Sequence, residues 1–159
     1  MTGKAGRIVR EMCWIGCDPG VSGAVACVFE SGRIAWQGND VTYHDMAAWI
    51  RDLVANHYCF AIVENVHSMP KQGVASSFNF GKSFGVLIGL LTALDVPHEF
   101  VTPQAWQAVL KCRSGGDKNV TKAAAQRLWP SMKITHRCAD ALLLAEFCRR
   151  VRSVTNERR

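Results

Sequence analysis

A chain of 159 residues with 48% apolar and 20% charged side chains supports one hydrophobic core and excludes a disordered protein. Net charge is +6, unevenly spread: residues 1–110 hold 7 Lys and Arg against 9 Asp and Glu, and residues 111–159 hold 12 against 4. The basic final third suggests a polyanionic partner, nucleic acid first, although a solvated basic tail would look the same.

The seven cysteines stand at 13, 17, 27, 59, 112, 138 and 148 without a C-x-x-C pair, which argues against a zinc site. They lie mostly in apolar segments, as small core residues of a reduced, cytoplasmic protein would. The N-terminus MTGKAGRIVREMCWIG is basic but lacks the apolar run of a signal peptide. The apolar segment SFGVLIGLLTAL, at 12 residues, is short of the roughly 20 that span a bilayer, so a soluble protein with no membrane partner is expected.

In chain order, CWIGCD (13–18) and GAVACVF (23–29) read as strands joined by the Pro19–Gly23 turn, and RIAWQ follows as a third strand. Met46, Trp49, Ile50 and Leu53 at helical spacing predict a helix over 43–57. FAIVENV (60–66) reads as a buried strand ending on Glu64, and HSMPKQGVAS as a loop. A long helix over about 76–94 carries Gly81, Gly85 and Gly89 four residues apart. Such glycines each cost about 1 kcal/mol relative to alanine, so the smooth face they make must serve a close approach. HEFV (98–101) is a short strand. TPQAWQAVL begins as a helix with Thr102 as cap and Pro103 first, and KCRSGGDKN is a basic loop. VTKAAAQRLW is helical to Pro130, and a final helix runs from about Thr135 to Arg152. No repeat or long linker divides the chain, so residues 1–159 are read as one domain with flexible termini at 1–12 and 153–159. The order implies an α/β fold, a mixed sheet with helices packed on its faces.

Three acids stand where folding alone does not explain them. Asp18 ends the first strand, Glu64 the fourth, and Asp140 lies in the apolar helix HRCADALLLAEFC, too deep to cap it. Singly each has an ordinary reading: Asp-Pro-Gly is a turn, and Asp140 has Arg137 three residues before it for a surface pair. Together they suggest a site. Two carboxylates about 4 Å apart repel by about 4 kcal/mol at an effective dielectric of 20, so a cluster either holds protons or gathers around a cation. All-oxygen ligands suit Mg²⁺ or Mn²⁺, and beside a basic surface such a cluster points to phosphodiester hydrolysis. The GKS at 81–83 is no phosphate loop, because Ser76 stands where that motif needs glycine.

With IGCDPGVSGAVA, AIVENV, SSFNFGKSFGVLIGLL and HRCADALLLAEFC in this order, the chain resembles the RuvC-type Holliday junction resolvases over residues 13 to 150, and the short phage-encoded members more than the long bacterial ones. The resemblance implies a ribonuclease H-like fold with a mixed five-stranded sheet and helices on both faces. It implies a Mg²⁺- or Mn²⁺-dependent endonuclease in a bacterial or phage-infected cell, a homodimer that binds a four-way DNA junction and places two symmetric nicks. Asp18, Glu64 and Asp140 match the metal-binding acids, Lys118 a basic position near the scissile phosphate, and the glycine-marked helix a dimer-forming segment. The family's fourth metal-site residue, usually an acid one turn before the last aspartate, is replaced by His136 or Arg137. His136 is the favoured assisting residue, and Arg137 is read as a phosphate contact or a partner of Asp140. In the loop after Glu64, His67 and Met69 are candidates for wedging between bases and Lys71 for a phosphate contact. Lys111, Arg113 and Lys122 complete the expected DNA-binding set. The alternatives are a broader debranching nuclease, another nuclease of the same core, and a junction-binding module that does not cut. An actin-like ATPase would need a second domain.

Overall fold

The computed structural model describes residues 10–65 and 73–156. The strands are β1 (Met12–Cys17), β2 (Ala24–Phe29), β3 (Ile34–Gly38), β4 (Tyr58–Glu64) and β5 (His98–Val101). The helices are α1 (Tyr43–Asn56), α2 (Val74–Ala93), α3 (Pro103–Val109), α4 (Lys118–Leu128) and α5 (His136–Asn156). One five-stranded sheet has the order β3-β2-β1-β4-β5. β2 runs antiparallel to β1 and β3, and β1, β4 and β5 are mutually parallel, so the chain leaves β1, β3, β4 and β5 at the same end of the sheet.

Strand alternation divides the core. Cys13, Ile15 and Cys17 of β1, with Ala61 and Val63 of β4, face α1 and α2 and bury Met46, Ile50, Leu53, Leu87 and Leu91. Trp14 and Ile62 face the other way, toward the α3–α5 layer, where Trp106, Ala125 and the apolar run of α5 cover them. All seven cysteines are free; six are buried and Cys59 is half-buried, as expected of core residues. Strands packed on both faces become near-continuous apolar runs, which is why CWIGC and AIV are so apolar.

The closest packing is at Gly16. A Cβ there would lie 2.2 Å from the Ala141 carbonyl oxygen and 2.3 Å from the Ala145 nitrogen, so α5 rests its backbone on β1. Any side chain at this position would lift α5, and Asp140 with it.

Element boundaries differ from expectation in informative places. α4 starts at Lys118 because the Asp117 side chain accepts from the Asn119 N–H, so this lysine opens a helix rather than lying in the loop. α2 begins at Val74 and reaches 20 residues, long and apolar enough by length and composition to cross a bilayer. Here Leu87 and Leu91 lay it on the sheet layer while most of its surface is exposed. Added Cβ atoms at Gly81, Gly85 and Gly89 would meet nothing within 4 Å, so the smooth face is not used by the described residues of its own chain. α5 continues through the expected flexible stretch to Asn156. His67, Met69 and Lys71, with the termini at 1–9 and 157–159, lie outside the described residues.

Candidate active site

The parallel register pairs Cys17 with Val63, so the next residues, Asp18 and Glu64, emerge at the same level on adjacent strands. The alternation that turns Cys17 and Val63 toward α1 and α2 turns both acids toward α5. Glu64 is 8% exposed and Asp18 partly exposed.

The Asp-Pro-Gly turn holds Asp18 from several sides. The Gly20 N–H donates to its Oδ1 at 3.2 Å, and the Asp18 N–H donates to the Ala24 carbonyl at 3.0 Å. Asn39 Nδ2 donates to the Asp18 and Gly20 carbonyls, both at 2.7 Å, binding the end of β3 to the turn. Gly23 closes the cradle, since a Cβ there would come within 2.7 Å of Asp18 Cγ. Glu64 is held by Trp106, whose Nε1–H donates to Glu64 Oε1 at 2.8 Å; the indole is fully buried under α3. A buried acceptor that lost this donor would cost about 1–3 kcal/mol.

Asp140 enters from the first turns of α5, and its Oδ1 is buried with no hydrogen-bond partner. Its charge is felt by both strand acids. Burial, followed by the Asp140 charge, pushes Asp18 up to about 6, against the Gly20 N–H and the Lys118 ammonium. Burial, followed by the Asp18 charge, pushes Glu64 up to about 7, and the Trp106 N–H and Lys118 offset only part of this. The Asp140 charge thus acts on both strand acids, and the Asp18 charge on Glu64.

The expected partners of the cluster separate into near and far. Lys118, exposed at the start of α4, is the cation whose charge reaches both strand acids. His136 Nε2 lies 3.0 Å from Asn119 Oδ1, which ties the start of α5 to the start of α4 beside Lys118. Arg137 pairs with Asp40 at 2.6 Å, not with the neighbouring Asp140. Lys111 and Arg113 are exposed in the loop before α4, and Lys122 is half-buried one turn into it. Arg113, Ser114 and Gly116 line a groove of about 480 Å³ against Gln104 and Gln107 of α3.

Among the described residues, no group of three or more His, Cys, Asp or Glu side chains is placed to hold a metal ion. The donor set nevertheless fits a hard divalent cation. It consists of carboxylate oxygens, one of them buried and unpartnered, and two of the carboxyls are disfavoured as anions until a positive charge joins them. Two contributors were not visible in the sequence pattern. Asn39 is 21 residues from Asp18, and Trp106 reads as an ordinary core aromatic after the Thr102-Pro103 helix start.

No family model matches the chain, and no curated protein matches it in sequence. Among solved structures, the chain is similar to Thermus thermophilus RuvC, with a TM-score of 0.52 and 14% identity over 89% of this chain and 96% of that one. It is similar as well to T. thermophilus RuvC in complex with Holliday junction substrate, with a TM-score of 0.51 and 15% identity over 90% and 96%. With its mixed five-stranded sheet between helical layers, the chain has the ribonuclease H-like fold that RuvC has.

Proposed function

We propose that this protein is a Mg²⁺- or Mn²⁺-dependent endonuclease selective for branched DNA, which resolves four-way junctions by paired nicks. The observation that carries the reading is the approach of Asp18, Glu64 and Asp140 at one end of the sheet, where Lys118 is the described cation that acts on both strand acids. The junction complex of a similarly folded protein supports branched DNA as the substrate class.

Asp18, Glu64 and Asp140 are the residues that would hold the cation. The chemistry a divalent ion held there would supply is neutralisation of phosphate charge and a lowered pKa for water. The chain's own contributions are distinct. Asn39 and Gly20 fix the Asp18 carboxylate, and Trp106 holds one Glu64 oxygen so that the other remains free. Lys118, exposed and with its charge acting on both strand acids, is the cation for the scissile phosphate. His136, exposed and steadied by Asn119, assists by exchanging a proton at its imidazole. Lys111, Arg113 and Lys122 carry the flanking backbone as phosphate contacts. Arg137 is held by Asp40.

Paired nicks require two such sites. The glycine face of α2, with nothing of its own chain against it among the described residues, suits a second copy of the chain and supports a homodimer. The cytoplasm of a bacterial or phage-infected cell is the setting this reading implies.

The test is cleavage of a fixed four-way junction, beside linear and single-stranded DNA, with Mg²⁺, Mn²⁺ or EDTA. Paired nicks that need the metal and spare linear DNA are expected. Equal cutting of linear duplex, or junction binding without cutting in any divalent metal, would overturn the resolvase reading.

A further inference from the structure

A groove of about 580 Å³ opens at the same end of the sheet as the carboxylates but on the α1–α2 side. Val21, Asn39, Tyr43, Asn79, Lys82 and Ser83 line it. Its near wall is shared with the carboxylate site: Val21 belongs to the turn that carries Asp18, and Asn39 is the side chain that ties β3 to that turn. A second hollow, bounded by Met46, Val86 and Leu87 as well as Tyr43 and Ser83, adjoins it and gives an apolar floor.

The lining has the chemistry of a base-holding site. Tyr43 is 51% exposed, and Val21 is 60% exposed. Asn79 and Ser83 bring side-chain donors and acceptors from successive turns of α2. Lys82 has no carboxylate partner among the described residues; its ammonium lies 5.9 Å from the Phe78 ring centre. The acid at the groove, Asp40, is already neutralised by Arg137. The free charge of the groove is therefore positive.

We infer that this groove is a nucleotide subsite, in which an unpaired nucleotide flanking the scissile phosphate stacks on Tyr43 while Lys82 meets its phosphate. The inference rests on the nuclease reading and deepens it. Lys118 is the cation that acts on the acids, and Lys82 lines the groove that shares a wall with the Asp18 turn, so a backbone running from the carboxylates into the groove meets both. A base that has left the stack must place its face somewhere, and an exposed aromatic next to amide and hydroxyl groups accepts any base. The groove thus favours branch points, where unpaired nucleotides are available, over continuous duplex.

The test uses the full chain carrying Asp18→Asn, bound to a junction with 2-aminopurine at each position flanking the nick sites mapped on the unaltered protein. Quenching at one flanking position is expected on binding. Adding Tyr43→Ala should relieve it and weaken binding at least about fivefold, the low end of one base–aromatic stack, whereas Tyr43→Phe should retain both. Lys82→Ala should weaken binding and reduce the slope of log K against log salt by about one. Because Tyr43 is half-exposed, an unchanged thermal melt verifies that the alanine variant folds. Unchanged quenching and affinity in Tyr43→Ala, with the unaltered protein still cutting junctions, would overturn the subsite alone. Failure of the unaltered protein to bind or cut branched DNA would overturn the nuclease reading and the subsite with it.

Discussion

Glu64 and Glu146 are both buried acids, 8% and 4% exposed, yet the fold treats them oppositely. Glu146, on α5, accepts from Arg149 through both oxygens and from Arg150 at 2.7 Å. Burial pushes its pKa up, but the two arginines outweigh this and leave it below the ordinary carboxylate value. Glu64 receives one neutral N–H from Trp106, and burial first, then the Asp18 and Asp140 charges, raise its pKa to about 7. The contrast shows that this chain supplies cations where a buried carboxylate is structural. At the end of β1 and β4, among the described residues, no cation pairs with the strand acids, and Lys118 offsets only part of their rise.

The strongest way to break the contrast is to remove charge at the open cluster. Asp18→Asn should reduce junction cleavage by at least about a thousandfold while leaving junction binding within a fewfold, because the change touches the reaction rather than the basic surface. Single-turnover cleavage beside a gel-shift titration measures both. Full cleavage by this variant would remove Asp18 from the reaction.

Proton linkage gives the next effect, with opposite signs at the two sites. Asp18 and Glu64 have raised folded pKa values, so their contribution to stability is complete below their ordinary values of 3.8 and 4.5 and is lost as pH rises through about 6 to 7. In EDTA the cluster should therefore cost stability, up to about 6 kcal/mol for the two shifts together by pH 8, seen as a falling Tm. A divalent cation at 100 times its Kd should return about 2.7 kcal/mol there. Glu146 works the other way: its stabilisation is present above its ordinary value of 4.5 and lost as pH falls through its lowered value. Glu64→Gln should flatten the apo Tm profile between about pH 4.5 and 7 and leave the more acid part unchanged.

Glu146→Gln sharpens the comparison from the other side. It leaves two arginines without their buried carboxylate charge and should destabilise the fold by about 2 kcal/mol, read as a shifted urea midpoint, with junction cleavage per folded molecule unchanged. Smallest is Lys118→Ala, which should lower cleavage about tenfold. It should also move the apo pH dependence of Tm toward still higher pKa values, because the ammonium is the cation that offsets both strand acids.

The sequence carried the cluster further than its support. Asp18 and Glu64 were legible because each ends a short apolar run, and a parallel pairing of those runs places strand ends together. Asp140 was legible because an acid inside an apolar helix needs a reason. All five strands and the helices on both faces follow from periodicity and turn residues. What stayed hidden depends on partner choice in space. Nothing in TPQAW says that its tryptophan reaches Glu64, and nothing near Asn39 points back to the first turn. Arg137 lies one turn from Asp140 along the helix but finds Asp40 across the fold, a choice that spacing alone cannot make. The start of α4 was missed because GGDKN reads as a loop until Asp117 is recognised as its cap.

The most direct measurement is a calorimetric titration of Mn²⁺ into the protein and into its Asp18→Asn variant at pH 8. Saturable binding to the unaltered protein, lost or weakened at least tenfold in the variant, is the result the metal-binding account predicts. Equal binding by both, or none by the unaltered protein, would contradict it.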